Sequence, residues 1–164
     1  MKKKIAILLP YKEIYSPNFS GAASIWVKDY NNLSKFSNLT TIYGNLEKFL
    51  KPNSKNFKNI IIKKFIFSKT NQYLNFFYKS VLKNDFSIIE IHNRPEYINF
   101  LFKKKIKAKF IFFFHNNPQK LRGSKSIKER LNILNKTDKI FFVSHWTKKK
   151  FFENLPFKSK SNCD

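Results

Sequence analysis

The run Phe110-Ile111-Phe112-Phe113-Phe114 constrains this chain more than any other stretch. Five consecutive aromatic or β-branched residues suit a strand covered on both faces, as in a parallel sheet packed between helices. The run stops abruptly at His115-Asn116-Asn117-Pro118. In open parallel sheets the loops beyond the strand C-termini form the ligand crevice. This polar cluster therefore falls where such folds do their chemistry. A capped strand end with an Asn-Pro turn is the ordinary alternative, and the rest of the chain decides between the two.

The same alternation of apolar strand and polar stop recurs along the 164 residues. A first strand is expected over 4–9, ending at Pro10, followed by a polar loop to Ser20-Gly21-Ala22. Ser20 or Gly21 would cap a helix from about 22, with Trp26, Tyr30 and Leu33 at helical spacing beside Ile25 and Phe36. Short strands follow over 39–43, closed by Gly44, and over 59–67, with a loop at 47–56 between them. Tyr73, Leu74, Phe77, Tyr78 and Val81 make a helical stripe, and 86–91 reads as the next strand. Pro95 fits the first turn of a helix capped by Asn93 or Arg94. That helix carries Tyr97, Ile98, Leu101 and Phe102 on its apolar face and ends at Lys103-Lys104-Lys105. After the central run, a helix is expected over 124–136, with Ile127, Leu131 and Leu134 on one side. A strand over 140–143 and a helix over 147–154 complete the pattern. Strands alternating with helices predict a three-layer, doubly wound parallel α/β sheet with right-handed crossovers. One domain over 1–156 and a tail over 157–164 are expected.

A domain of this size buries roughly 70% of its unfolded surface and needs no disulfide or metal staple. The single cysteine, Cys163, lies in the tail, which points to a reducing, cytoplasmic setting. The apolar stretch after Met1-Lys2-Lys3-Lys4 ends by Leu9, too short for a signal-peptide core of about 7–15 residues. The formal charge of +23 invites a nucleic-acid or anionic-membrane reading. Yet lysine supplies nearly all of it, arginine standing only at 94, 122 and 130. Readers of phosphates and bases favour the planar arginine fork. A compositional bias of the whole chain outweighs specific nucleic-acid binding here, and peripheral attachment to the inner face of an anionic membrane stays open.

All three histidines, His92, His115 and His145, follow expected strands, so they would converge on one edge of the sheet. Ser20-Gly21-Ala22 opens toward the same edge. Small residues at a helix start let backbone N–H groups approach a phosphate. There is no G-x-G-x-x-G, no P-loop, no G-x-S-x-G elbow and no zinc spacing.

In order, the motifs are the Gly21-Ala22-Ala23 loop, Glu90-Ile91-His92-Asn93-Arg94-Pro95-Glu96-Tyr97, Phe114-His115-Asn116-Asn117-Pro118, Leu121-Arg122-Gly123-Ser124, and Asp138 through Val143-Ser144. This series resembles the N-terminal domain of family 4 glycosyltransferases, whose GT-B architecture sets two Rossmann-like domains face to face. The resemblance runs from Ile5 to about Leu155. It implies retaining transfer of a sugar from a nucleotide-sugar donor to a hydroxyl acceptor, without a bound metal or cofactor, in cell-surface polysaccharide or glycolipid synthesis. It implies His115 as the catalytic residue beside the transferred sugar and Ser20, Gly21 and Ala22 as the donor-phosphate loop. His92, Asn93, Arg94, Glu96, Asn116, Asn117, Arg122 and Ser144 are implied as acceptor or sugar contacts. The loop reads Ser20-Gly21 where the family often has Gly-Gly. The family's second Rossmann-like domain has no counterpart here, so a fragment inactive alone is expected. The alternatives are a basic module for RNA or an anionic membrane, and a sugar-binding fold without catalysis.

Overall fold

The computed structural model describes residues 3–62 and 68–156. Among the described residues there are six strands: β1 (Ile5–Leu8), β2 (Thr40–Gly44), β3 (Phe57–Asn59), β4 (Ile88–His92), β5 (Lys109–Phe114) and β6 (Lys139–Phe142). Five helices accompany them: α1 (Ala22–Leu33), α2 (Lys69–Asn84), α3 (Pro95–Lys103), α4 (Ile127–Lys136) and α5 (His145–Phe152). The strands form one sheet in the order β3-β2-β1-β4-β5-β6. That is the doubly wound, Rossmann-like order. The expected fold class is the observed one. By contacts the chain forms two compact units, one ending at Ile88 and one beginning at Ile89.

In the first unit β1 is buried along its whole length, as a strand covered on both faces must be. It runs parallel to β2, Ile5 opposite Thr40 and Leu8 opposite Tyr43, and β2 runs parallel to β3. Ile5, Ile7, Leu9, Tyr15, Val27 and Ile42 make its core, with Trp26, Phe57 and Ile88 packed against it. Tyr73 of α2 donates its hydroxyl to the Leu9 carbonyl at 2.8 Å. Helix α1 begins where expected but turns a different face inward. It buries Ala23, Ser24, Val27 and Asn31, whereas Leu33 is 88% exposed and Ile25 and Tyr30 are also exposed. Small side chains let a helix approach its neighbours closely, and Asn31 is held by the Asn56 amide at 3.0 Å. Trp26 packs against that core and also stacks on Tyr30, 5.0 Å away. The expected strand over 59–67 is realised earlier, as β3. Residues 60–62 are not strand, and 63–67 lie outside the described residues.

In the second unit β5 and β6 are parallel, with Ile111 opposite Lys139 and Phe114 opposite Phe142. Directly paired aromatics stack: Phe113 on Phe141 at 4.9 Å and Phe114 on Phe142 at 5.5 Å. His92 of β4 stacks on Phe113 at 4.7 Å with 4° between the rings, which continues the first of these stacks across three strands. Helix α4 starts at Ile127 rather than 124, because Ser126 and Glu129 form a reciprocal capping box. Its inward face is Arg130, Ile133 and Leu134, while Ile127 is exposed. Arg130 is buried because its guanidinium donates to the carbonyls of Lys125 at 2.9 Å and Glu153 at 2.8 Å. The expected tail over 157–164 lies outside the described residues.

Candidate functional site

The second unit gathers polar side chains at the C-terminal ends of β4, β5 and β6. Asn93 follows β4 in the left-handed region, φ 53°, a conformation asparagine tolerates better than most residues. From there its side-chain oxygen accepts from the backbone N–H groups of His115 at 3.0 Å and Asn116 at 3.2 Å. Its own N–H donates to the Phe113 carbonyl at 3.0 Å. Asn93 therefore ties the loop after β5 to the end of β4.

That tie sets two histidines in contact. His92 Nδ1 and His115 Nε2 are 2.9 Å apart, a hydrogen bond in which one ring donates and the other accepts. His92 has no exposed surface, so it reaches a ligand only through His115, which is partly exposed. Burial disfavours the charged ring in both. It pushes His115 down to about 4, and it lowers His92 well below the ordinary range, with His115 adding to the effect. Both rings are neutral near pH 7. The pair thus offers one directed imidazole nitrogen that can donate or accept a hydrogen bond. Glu90, two residues before His92 in β4, leaves the strand on the same face. Its Oε2 lies 4.0 Å from His92 Nε2, and burial raises its carboxyl to about 7. Glu90 heads the Glu90–Tyr97 motif but is not among the residues expected at the site. Its one signal was this i, i+2 spacing from a histidine within an apolar strand.

The remaining residues expected at the site divide by what their side chains already do. Glu96 stands in the first turn of α3. Burial raises its carboxyl against the opposing pull of a backbone N–H, Arg94 and Arg122. Arg94 is the N-cap of α3 and makes no capping bond with its side chain. Gly123 brings the Arg122 loop onto α3. Its φ is +89°, and a Cβ there would meet Glu96 N at 2.8 Å. Asn117 accepts from Gln119 N at 3.0 Å and so caps the short turn at Pro118–Lys120. The Asn116 side chain is exposed. Ser144 accepts from Thr147 N at 3.1 Å, capping α5. His145 is the exposed first residue of α5, whereas His92 and His115 form the hydrogen-bonded pair.

Ser20, Gly21 and Ala22 belong to the first unit. Gly21 is the N-cap of α1 and is exposed. Ser20 donates to the Ser16 carbonyl at 2.7 Å and accepts from Asn53 at 2.8 Å. The helix start already holds an anion, because Glu13 Oε1 accepts from Ser24 N at 3.1 Å. A Cβ on Gly21 would collide with that carboxylate. Elsewhere in this unit a hollow of about 490 Å³ is lined by Asn31, Asn32, Asn38, Asn53 and Asn56 among others. It sits by the starts of β2 and β3 and includes none of the expected site residues.

No family model and no curated protein matches the chain. Solved structures do. The chain is similar to sucrose-phosphate synthase from Thermosynechococcus elongatus at a TM-score of 0.63 and 9% identity, over 99% of this chain and 47% of that one. A second structure titled as the same synthase matches at a TM-score of 0.59 and 10% identity, over 98% of this chain and 86% of that one. The chain thus spans about half the length of the first of these structures. At such identity the likeness is one of fold.

Proposed function

We propose that this chain is the acceptor-binding half of a retaining glycosyltransferase. It would act with a second Rossmann-like domain to move a sugar from a nucleotide-sugar donor to a hydroxyl acceptor, in the making of cell-surface polysaccharide or glycolipid. The observation that carries this reading is the His92–His115 hydrogen bond at the ends of adjacent strands, clamped by Asn93. The solved neighbours, named for a synthase of a sugar phosphate, support it at the level of fold. A neutral imidazole on a partly exposed residue can hold one sugar hydroxyl in a fixed orientation. Preorganised donors and acceptors of this kind are worth most where charge develops in the transition state. Asn116, Arg94, Arg122 and Glu96 supply further polar contacts for the acceptor. The Ser20-Gly21-Ala22 turn meets the donor diphosphate once Glu13 yields the α1 N-terminus. The reading involves no resident metal.

The donor nucleotide in this scheme needs the second domain as its other wall. The chain alone should show no detectable transfer, and calorimetry should find no micromolar affinity for nucleotide sugars. The joined two-domain enzyme should bind and turn over. Micromolar binding by the chain alone would contradict this division of labour.

The lysines support a second role, peripheral attachment to an anionic membrane on the cytoplasmic side. Lys103, Lys104, Lys105, Lys107 and Lys109 are all exposed. They gather at the start of β5, the end opposite His115, roughly 20 Å away along the six-residue strand. Lys148, Lys149 and Lys150 of α5 lie nearer the strand C-termini, but Lys150 is paired with Glu153 at 3.0 Å. Among the described residues no helix is long and apolar enough to cross a membrane.

A further inference from the structure

The sugar-contacting role of His115 leaves Glu90 unexplained. A buried carboxyl in an apolar strand costs stability unless something answers it. Glu90 is 3% exposed, and its Oε2 makes no hydrogen bond. The nearest basic nitrogen is His92 Nε2 at 4.0 Å. On the far side of that ring Nδ1 meets His115 Nε2 at 2.9 Å. Carboxyl, inner ring and outer ring thus form a line that ends at the partly exposed His115.

A neutral imidazole carries one N–H and one lone pair, so the line has two consistent proton arrangements. When Glu90 is ionised, its carboxylate faces an N–H on His92 Nε2. His92 Nδ1 then accepts from His115 Nε2–H, and His115 Nδ1 is left with a lone pair. When Glu90 is protonated, its O–H turns toward the lone pair of His92 Nε2. His92 Nδ1–H then donates to His115 Nε2, and the His115 proton sits on Nδ1. The two arrangements differ by one proton. In passing from the second to the first, Glu90 gives up its proton, the protons of His92 and His115 each move from Nδ1 to Nε2, and the net change is one proton released to solvent. Neither ring becomes an imidazolium.

We infer that Glu90 is a positioning residue: through His92 it decides whether His115 Nδ1 donates or accepts a hydrogen bond. The inference rests on the reading of His115 as the sugar-facing group. The groups that titrate along the line are Glu90 and His92 on β4 and His115 after β5. Arg94, Glu96 and Arg122 act on one another at the start of α3. Burial alone sets the Glu90 carboxyl at about 7, so both arrangements are populated near neutrality. The histidines, depressed by burial, stay neutral across that range. At 4.0 Å the ionised contact is electrostatic rather than a hydrogen bond, and the buried surroundings keep it strong.

The test is nitrogen-15 NMR of the histidine rings in this chain from about pH 6 to about pH 8, a range that brackets the Glu90 carboxyl. In the wild type the protons of His92 and His115 should both pass from mainly Nδ1 to mainly Nε2, with a midpoint near that of Glu90. In Glu90→Gln both rings should hold one tautomer throughout. A single His115 tautomer across the range in the wild type would overturn the inference, and that arm needs no variant to fold. A switch persisting at the same pH in Glu90→Gln would overturn it as well. Because no sugar enters this measurement, its failure leaves the transferase reading standing, and an inactive enzyme leaves the proton line standing.

Discussion

Replacing Glu90 by glutamine should make the protein more stable at neutral pH, with a pH dependence of fixed sign. Burial raises the carboxyl from an ordinary 4.5 to about 7. Between those values the folded chain keeps a proton that the unfolded chain releases. Stability therefore falls as pH rises through this window and is flat above it. At roughly 1.4 kcal/mol per pH unit the window amounts to about 3 kcal/mol. The buried histidines act in the opposite sense. Their folded values are depressed, so their contribution is lost as pH falls below about 6.5. They are common to both proteins and cancel in the comparison. Glutamine carries no proton equilibrium, so the stability of Glu90→Gln minus that of the wild type should grow by about 3 kcal/mol from about pH 4.5 to about pH 8. Urea denaturation at several pH values measures the difference. A difference constant to about 0.5 kcal/mol would mean that Glu90 is ionised throughout, and the reasoning about its burial would fail.

Two glycines should respond unequally to alanine. Gly123→Ala meets backbone at Glu96 and a φ of +89°, so it should cost about 1–3 kcal/mol. Gly21→Ala displaces only the flexible Glu13 carboxylate from Ser24 N, a loss of about 1 kcal/mol. Thermal melts of the two variants decide, and equal costs would show that the loop carrying Arg122 is not held on α3 as described. Binding to anionic vesicles should weaken steeply with salt and fall by about 1 kcal/mol for each of Lys103, Lys104, Lys105, Lys107 and Lys109 changed to glutamine. Binding unaffected by these changes would remove the membrane role.

Much of the fold was legible because parallel strands buried on both faces read as unbroken apolar runs. Such runs at 5–9 and 110–114 became β1 and β5, and the Pro95 start and triple-lysine end of α3 held to within a residue. Helix faces were less legible. Counting large apolar residues chose Trp26, Tyr30 and Leu33 on α1; Trp26 does pack against the core, but Tyr30 and Leu33 are exposed and the buried positions are Ala23, Ser24, Val27 and Asn31. On α4 the reading took Ser124 as the start. That serine instead donates to the Pro118 carbonyl at 2.5 Å, and the Ser126–Glu129 box begins the helix. At the site, sequence order placed His92 and His115 at neighbouring strand ends. It did not reveal that His145 opens a helix, or that Asn93, Asn117 and Ser144 are engaged by backbone N–H groups. Those bonds depend on loop geometry that no spacing encodes. Glu13 at the α1 N-terminus was equally hidden, since it arrives from a loop eleven residues earlier.

The most direct test of the central claim is steady-state transfer by the two-domain enzyme carrying His115→Ala, with folding checked by circular dichroism. If His115 orients the sugar in the transition state, kcat should fall by about 10²–10³, or roughly 3–4 kcal/mol, as when one preorganised partner is removed. The acceptor KM should change far less. A kcat within a few-fold of the wild type would make His115 a cap on its strand, and the site would have to be sought elsewhere.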